Sequence, residues 1–192
     1  MNKQEIERMV LAGESLAGAD LSVVDLSGVD LSRANLSRTN LRGANLRGVN
    51  FYDANLRWTN LRWTNLRESN LCEATLNGAD LNGADLRGTN LCGAKLRESD
   101  LSESDLRGTH LGRTNFHEAT LTGTKMNWES HDLLGELLRK CAYEFWQKKV
   151  VGIVMTCRSM CWEDFDREFS DKEKDWARGV LLKYVVDGDG CP

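Results

Sequence analysis

Two sets of residues in this chain have the types and spacing to do chemistry. Cys72 and Cys92 stand twenty residues apart with His110 beyond them, and the stretch NLRWTNLRWTN, residues 55–65, repeats Arg-Trp at an interval of five. Thiols and an imidazole suit soft metals, and two thiols suit a disulfide. Exposed Arg and Trp suit binding, being the side chains most enriched at interface hot spots. Catalytic machinery is not visible: there is no phosphate-loop GK[ST], HExxH, CxxC or GxSxG. His110, His117 and His131 are scattered, with little around them to support general acid or base work. The chain is therefore not expected to be an enzyme or to carry a cofactor.

The elements that must position these residues start from length and composition. A chain of 192 residues can bury one good core, or one core and a small second unit. Its net charge of −4, from 25 basic and 29 acidic side chains, selects no class of partner by itself. The start, MNKQEIERMVLAGESL, lacks a signal pattern, and no stretch nears the roughly 18 apolar residues of a membrane helix. A cytoplasmic protein with no membrane contact is expected. Its six cysteines, at 72, 92, 141, 157, 161 and 191, are then free thiols rather than a disulfide framework.

Interval five is the dominant pattern. From Leu11 an apolar residue recurs at every fifth position, through Leu16, Leu21, Leu26 and Phe51 to Phe116, Leu121 and Met126. Two residues before each centre sits a small side chain, as in Ala34, Ala54, Thr64 and Ser99, and one before it is usually Asn or Asp. A five-residue unit cannot bury its leucine alone, so the units must coil and stack on a shared axis. The centre and the small residue have the same parity in an extended segment, so both can point inward. Glycine two residues after many centres, as at Gly28, Gly48, Gly78, Gly88 and Gly108, suits a corner that needs positive φ.

The motif ANLRGANLRGVN, read as A(D/N)LXX from Leu16 to Met126, resembles the pentapeptide repeat proteins. The resemblance implies a mainly β fold, a right-handed quadrilateral β-helix with four pentapeptides per coil, so that residues twenty apart stack. Cys72 and Cys92 would then share one outward face at about 4.8 Å, with His110 on the next coil. Stacked side chains on parallel strands point the same way and do not converge as a four-ligand metal site requires. No metal is expected.

Both ends depart from the repeat. Lys3 to Ala12 set Ile6, Met9 and Val10 at helical spacing, a short cap over the apolar stack that also blocks edge-to-edge association. After Met126 the period stops. Leu133, Leu134, Leu137, Leu138, Cys141, Ala142 and Phe145 repeat as a helix face, with Ser130 as N-cap. KKVVGIVMTCRSMCW reads as a second helix that packs Cys157 and Cys161. A third starts at a capping box of Ser170 and Glu173 and carries Trp176, Val180, Leu181, Tyr184 and Val185. The expected organisation is a cap at 1–15, a β-helix at 16–127 and a small helical unit at 128–192.

Charge is banded along the repeats. Residues 33–67 carry Arg33, Arg38, Arg42, Arg47, Arg57, Arg62 and Arg67 against Asp53 alone, a net of +6. Acidic bands lie on either side, with a net of −5 over residues 68–105. Arg47, Arg67, Arg87 and Arg107 form a ladder; Asp85 and Asp105 can neutralise its upper half, while Arg47 and Arg67 have only Asn45 and Asn65 beside them. Trp58 and Trp63 fall at neighbouring corners of one coil inside the basic band. The self-packed alternative puts Trp58 on Arg38 as a cation–π pair and both rings over Gly78, Gly43 and Gly83.

The function expected from this pattern is a protein-interaction scaffold working through the outer faces of the β-helix. Arg42, Arg47, Tyr52, Arg57, Trp58, Arg62, Trp63 and Arg67 are the candidate site for an acidic protein partner. What the resemblance implies also includes DNA mimicry, since some pentapeptide repeat proteins inhibit or protect DNA gyrase in that way. A mimic needs about one negative charge per 1.7 Å of axis. A tower of about 26 Å, from five and a half coils at about 4.8 Å, would ask for roughly 15 uncompensated acids; residues 16–126 hold 13 acids and 13 bases. Mimicry therefore ranks second, although a homodimer formed through the C-terminal helical unit would present a longer surface. Direct nucleic-acid binding and a structural assembly role rank below it.

Overall fold

The computed structural model describes residues 1–125 and residue 172. The expected helical unit at 128–192, with Cys157, Cys161 and the dimer it would form, lies outside the described residues, Lys172 apart.

Helix α1, Lys3–Leu11, opens the chain. Asn2 caps it by accepting the Glu5 N–H at 2.9 Å, with Glu5 in the first turn and Arg8 in the last, as the helix dipole favours. Ile6 is fully buried against the first coil, and Met9 and Val10 pack beside it. This is the cap that the helical spacing predicts.

The repeats then run as an unbroken series of parallel bridges between residues twenty apart, from Asp20 with Asn40 to Asp105 with Lys125. Four five-residue units thus complete one coil, and the coil has four faces. Face 1 is centred on Leu16, Leu36, Leu56, Leu76 and Leu96; face 2 on Leu21, Leu41, Leu61, Leu81 and Leu101. Face 3 is centred on Leu26, Leu46, Leu66, Leu86 and Leu106, and face 4 on Leu31, Phe51, Leu71, Leu91 and Leu111. All these centres are buried and line the axis as one core. Each leucine so enclosed contributes about 1.5–3 kcal/mol.

In the unit around Leu61 every backbone N–H has a destination, which explains the residue type at each position. The Leu61 N–H donates upward to the Asp80 carbonyl at 2.7 Å and the Trp63 N–H to the Asn82 carbonyl at 3.1 Å. Thr64 N–H closes a turn onto the Leu61 carbonyl at 3.3 Å, and Asn65 N–H donates downward to the Ala44 carbonyl at 3.1 Å. The remaining donor, Arg62 N–H, goes to the side-chain oxygen of Asn60 at 3.2 Å. Asn or Asp before the centre is therefore an acceptor that the backbone needs. The Asn amides also form ladders between coils, as Asn65 to Asn45 at 3.0 Å and Asn70 to Asn50 at 3.1 Å.

The small inward position tolerates a hydroxyl because the hydroxyl finds a carbonyl. Thr59 Oγ1 donates to Leu36 O at 2.9 Å and Thr64 Oγ1 to Leu61 O at 2.7 Å, both inside the core. The corner two residues after each centre has positive φ, as the glycines predict, with Gly78 at +68°. Twelve residues other than glycine adopt the same conformation, Trp58 at +59° and Trp63 at +55° among them. The turn closed onto the centre's carbonyl, with positive φ at its third residue, has type II form. For a side chain with Cβ this conformation costs roughly 1–2 kcal/mol.

Candidate partner-binding face

Face 2 of the basic band is bounded by two tryptophans. Trp58 stands at the corner between faces 1 and 2, and Trp63 at the corner between faces 2 and 3, with Asn60 and Arg62 on the face between them. Positive φ throws both indoles outward, and they remain 57% and 52% exposed. Each ring leans over the glycine one coil above it. A Cβ at Gly78 would collide with the Trp58 ring, and one at Gly83 with Trp63. The expected stacking over Gly78 and Gly83 is therefore present, whereas Gly43 has Val23 as its near neighbour.

The cation–π arrangement differs from the expected Arg38–Trp58 pair. The Arg42 guanidinium carbon lies 4.5 Å from the Trp63 ring centroid and that of Arg62 lies 5.0 Å from it. Arg62 is held further by Asp80 at 3.2 Å and by the Asn82 side-chain oxygen at 2.9 Å. Trp63 thus organises two cations, while Trp58 has its ring backed by Gly78 and carries no guanidinium among the described residues. The two tryptophans of the repeated stretch have different roles in the face.

The physical reason is reach. A direct stack joins residues twenty apart, but an extended arginine spans one coil and one further residue along the chain, and so meets the corner twenty-one residues on. Arg42 to Trp63 follows this rule. So do Arg47 to Glu68, with both carboxylate oxygens at 3.0 and 3.1 Å, and Arg97 to Glu118 at 3.1 Å. Arg47 is consequently neutralised, which corrects the expectation that the lower ladder lacks acidic partners. The interval of twenty-one was present in the sequence as a signal but hidden by the stronger interval of twenty.

The upper ladder is as expected. Arg87 meets Asp85 at 2.6 Å and Asp105 at 3.6 Å, and Arg107 meets Asp105 at 2.8 Å. The side-chain hydrogen bond from Arg87 holds the Asp85 carboxyl below its ordinary range against an opposing effect of burial, and the Arg67 charge adds to it. Burial pushes Asp105 upward, but its hydrogen bonds from Arg107 prevail and the net shift is downward. Arg67 itself has a buried Nε that meets no acceptor among the described residues. Arg33, Arg38, Arg42, Arg57 and Arg67 form no ion pair among the described residues, so the band keeps most of its positive charge.

The eight candidate residues form a belt and not a single patch. Arg42, Arg62 and the two tryptophans frame face 2, and Arg57 lies on face 1 immediately before the Trp58 corner. Arg47 and Arg67 are round the next corner on face 3. Tyr52, 39% exposed, is on face 4, opposite Arg62. Also on face 4, Cys72 and Cys92 stand in register in consecutive coils as free, half-buried thiols. Among the described residues no three or more His, Cys, Asp or Glu are grouped to hold a metal, and no helix is long and apolar enough to cross a membrane.

Comparison with known proteins accords with this register. The family model Pentapeptide repeats (8 copies) matches residues 15–53, 54–93 and 94–128. No curated protein matches the chain. Among solved structures, the chain is similar to the pentapeptide repeat protein Rfr23 from the cyanobacterium Cyanothece 51142, at 29% identity over 65% of this chain and 98% of that one, with a TM-score of 0.39. It is similar to alr5209, a pentapeptide repeat protein from Nostoc PCC 7120, at 32% identity over 66% of this chain and 96% of that one, with a TM-score of 0.29. QnrB1, a plasmid-mediated fluoroquinolone resistance protein, matches at 21% identity over 62% of this chain and 70% of that one, with a TM-score of 0.37. With the family model covering more than half of its length and the coil register matching that repeat, the chain belongs to the pentapeptide repeat proteins, whose fold is the right-handed β-helix.

Proposed function

We propose that this protein is a non-enzymatic interaction scaffold of the cytoplasm. In this reading face 2, between the corners Trp58 and Trp63, binds an acidic segment of a protein partner. The observation that carries the reading is the pair of half-exposed indoles in left-handed backbone, one of which holds Arg42 and Arg62 in place. Placing a large aromatic residue where glycine is intrinsically favoured costs stability, and an ordered Arg/Trp surface is what an interface uses. The arginines without ion pairs match a negative partner in charge.

DNA mimicry is less well supported by the charge pattern. Asp85 and Asp105, which would belong to a mimic's row of acids, are occupied by Arg87 and Arg107.

Affinity capture with the intact chain and with a Trp58→Gly, Trp63→Gly, Arg57→Glu variant tests the proposal. Glycine already occupies ten of these corners, so the variant keeps the backbone geometry, which circular dichroism checks. A protein partner with an acidic segment, retained by the intact chain and lost by the variant, is the expected result. Partners held equally by both forms move the site elsewhere. Capture of gyrase by both would favour the mimic, and capture of nucleic acid with a steep salt dependence would favour direct binding.

A further inference from the structure

The coil register gives face 2 a division of charge that the other faces lack. Two of its coils, residues 38–43 and 58–63, carry Arg38, Arg42 and Arg62 and no acid. The two coils above, residues 78–83 and 98–103, carry Asp80, Glu98, Asp100 and Glu103 and no base. Bridges from Asn40 to Asn60, Asn60 to Asp80 and Asp80 to Asp100 hold the four coils in one column. The other faces interleave their signs, as where Arg87 and Arg107 stand beside Asp85 and Asp105 on face 3.

Part of this charge is not neutralised within the chain. Arg62 pairs with Asp80 at 3.2 Å, and Glu98 pairs with Arg97 on face 1 at 3.1 Å. Arg38 and Arg42 below, and Asp100 and Glu103 above, form no ion pair among the described residues. Arg38, Arg42 and Glu103 are exposed, and Asp100 is half-buried. Three coil steps of about 4.8 Å part the two basic residues from the two acidic ones, about 14 Å in all, so they cannot meet inside one chain. A second molecule can join them.

A second copy turned upside down does so. A two-fold axis that lies in the contact plane and crosses the tower between the coils of Leu61 and Leu81 sets the coil of Leu41 against that of Leu101, and each corner against the same corner of the copy. Arg38 then comes opposite Glu98, and Arg42 comes between Asp100 and Glu103, with both contacts repeated across the axis. Each of the four coils meets one of opposite sign, and the end coils add only Asp20 and Glu118 at the rim. A parallel copy would instead set arginine coils against arginine coils and Glu98 against Glu103, which repel. The tryptophans mark the axis: Trp58 and Trp63 rise from the coil of Leu61 and lean over Gly78 and Gly83 in the coil of Leu81, so each ring meets its own counterpart. Aromatic anchors at the centre with charges around them are the anatomy of an interface.

We propose that face 2 is a self-complementary surface on which two copies of this chain associate antiparallel. The proposal rests on the reading of face 2 as a binding surface and names an acidic segment that it takes, residues 98–103 of the second copy. One face of so short a tower is small beside the roughly 1,600 Å² of a standard interface, so the pair is weak and an acidic partner can displace the copy.

The test is sedimentation of the full chain at low salt over a wide range of concentration. It compares the native sequence, Arg38→Glu with Arg42→Glu, Glu98→Arg with Glu103→Arg, and an equal mixture of the two variants. Arginine and glutamate already stand at left-handed corners, as Arg113 and Glu73, so the corner changes keep the fold, which circular dichroism checks for each variant. Each variant sets like charges together in its own pair and should associate about tenfold or more weakly than the native chain. The mixture restores opposite charges at every contact and should form a one-to-one pair about as strong as the native one. A native chain that stays monomeric, or a mixture that associates no better than its components, would overturn the proposal. So would variants that associate as the native chain does, because the self-contact would then lie off face 2, residues 128–192 included. The Glu98→Arg, Glu103→Arg variant leaves the Arg/Trp surface intact and so reports on the scaffold reading separately. Capture of an acidic partner by a chain that never self-associates overturns this proposal alone, and self-association without capture overturns the scaffold reading alone.

Discussion

The Arg42 guanidinium lies over the Trp63 ring, 4.5 Å from its centroid, although the two residues are twenty-one positions apart and not twenty. The contact links a face position of one coil to the corner of the next, and it sets the two tryptophans of the band apart. A cation–π pair at an exposed site contributes about 0.5–1 kcal/mol. A double-mutant cycle of Arg42→Gln and Trp63→Gly, followed by urea unfolding, should give a coupling energy of that size. The same cycle with Arg38→Gln and Trp58→Gly should give a coupling near zero.

Gly78 and Gly48 share the same left-handed backbone, at φ +68° and +66°, but only Gly78 lies under an indole. Gly48→Ala should lose only the conformational penalty of roughly 1–2 kcal/mol. Gly78→Ala should lose about 1 kcal/mol or more beyond that, because the Trp58 ring must move. Tryptophan emission should shift in the second variant and not in the first. Equal losses would mean that the ring is displaced without penalty.

Asn65 serves two partners, accepting from Arg67 N–H at 3.3 Å and donating to Asn45 Oδ1 at 3.0 Å. Asn65→Ala should therefore destabilise the chain by about 1–2 kcal/mol. Asn65→Asp keeps the acceptor and sets a carboxylate beside Arg67, as Asp85 stands beside Arg87. Its loss at neutral pH should be clearly smaller than that of the alanine variant, as thermal unfolding of the two will show.

Acid should weaken the fold through carboxylates whose native values are depressed. Asp85 and Asp105 titrate below the ordinary 3.8 in the folded chain, so they bind protons more weakly there than when unfolded. Their contribution is complete above the unfolded value and is lost as pH falls through the native one. Asp20, Asp25 and Asp30 are shifted the same way by the backbone N–H groups of Ser22, Ser27 and Ser32. Urea midpoints should be flat down to about pH 4 and fall below it. Asp85→Asn combined with Asp105→Asn should make that fall shallower.

The sequence by itself determined the solenoid. Leucine at interval five, small residues two before it and Asn or Asp one before it leave few ways to bury the apolar side chains and satisfy each N–H. The cap helix and the Arg87–Asp85 and Arg107–Asp105 pairs were equally legible, because they depend on contacts within a unit or along one helix. Tertiary structure alone decided which arginine meets which corner. The Trp63 ring took Arg42 while the stacked Arg38–Trp58 pair did not form, and Arg47 found Glu68, because a long side chain reaches diagonally across the coil step while periodicity reports only vertical neighbours. It also spread the candidate residues round the tower, since their neighbourhood in sequence is a quarter-turn per unit in space.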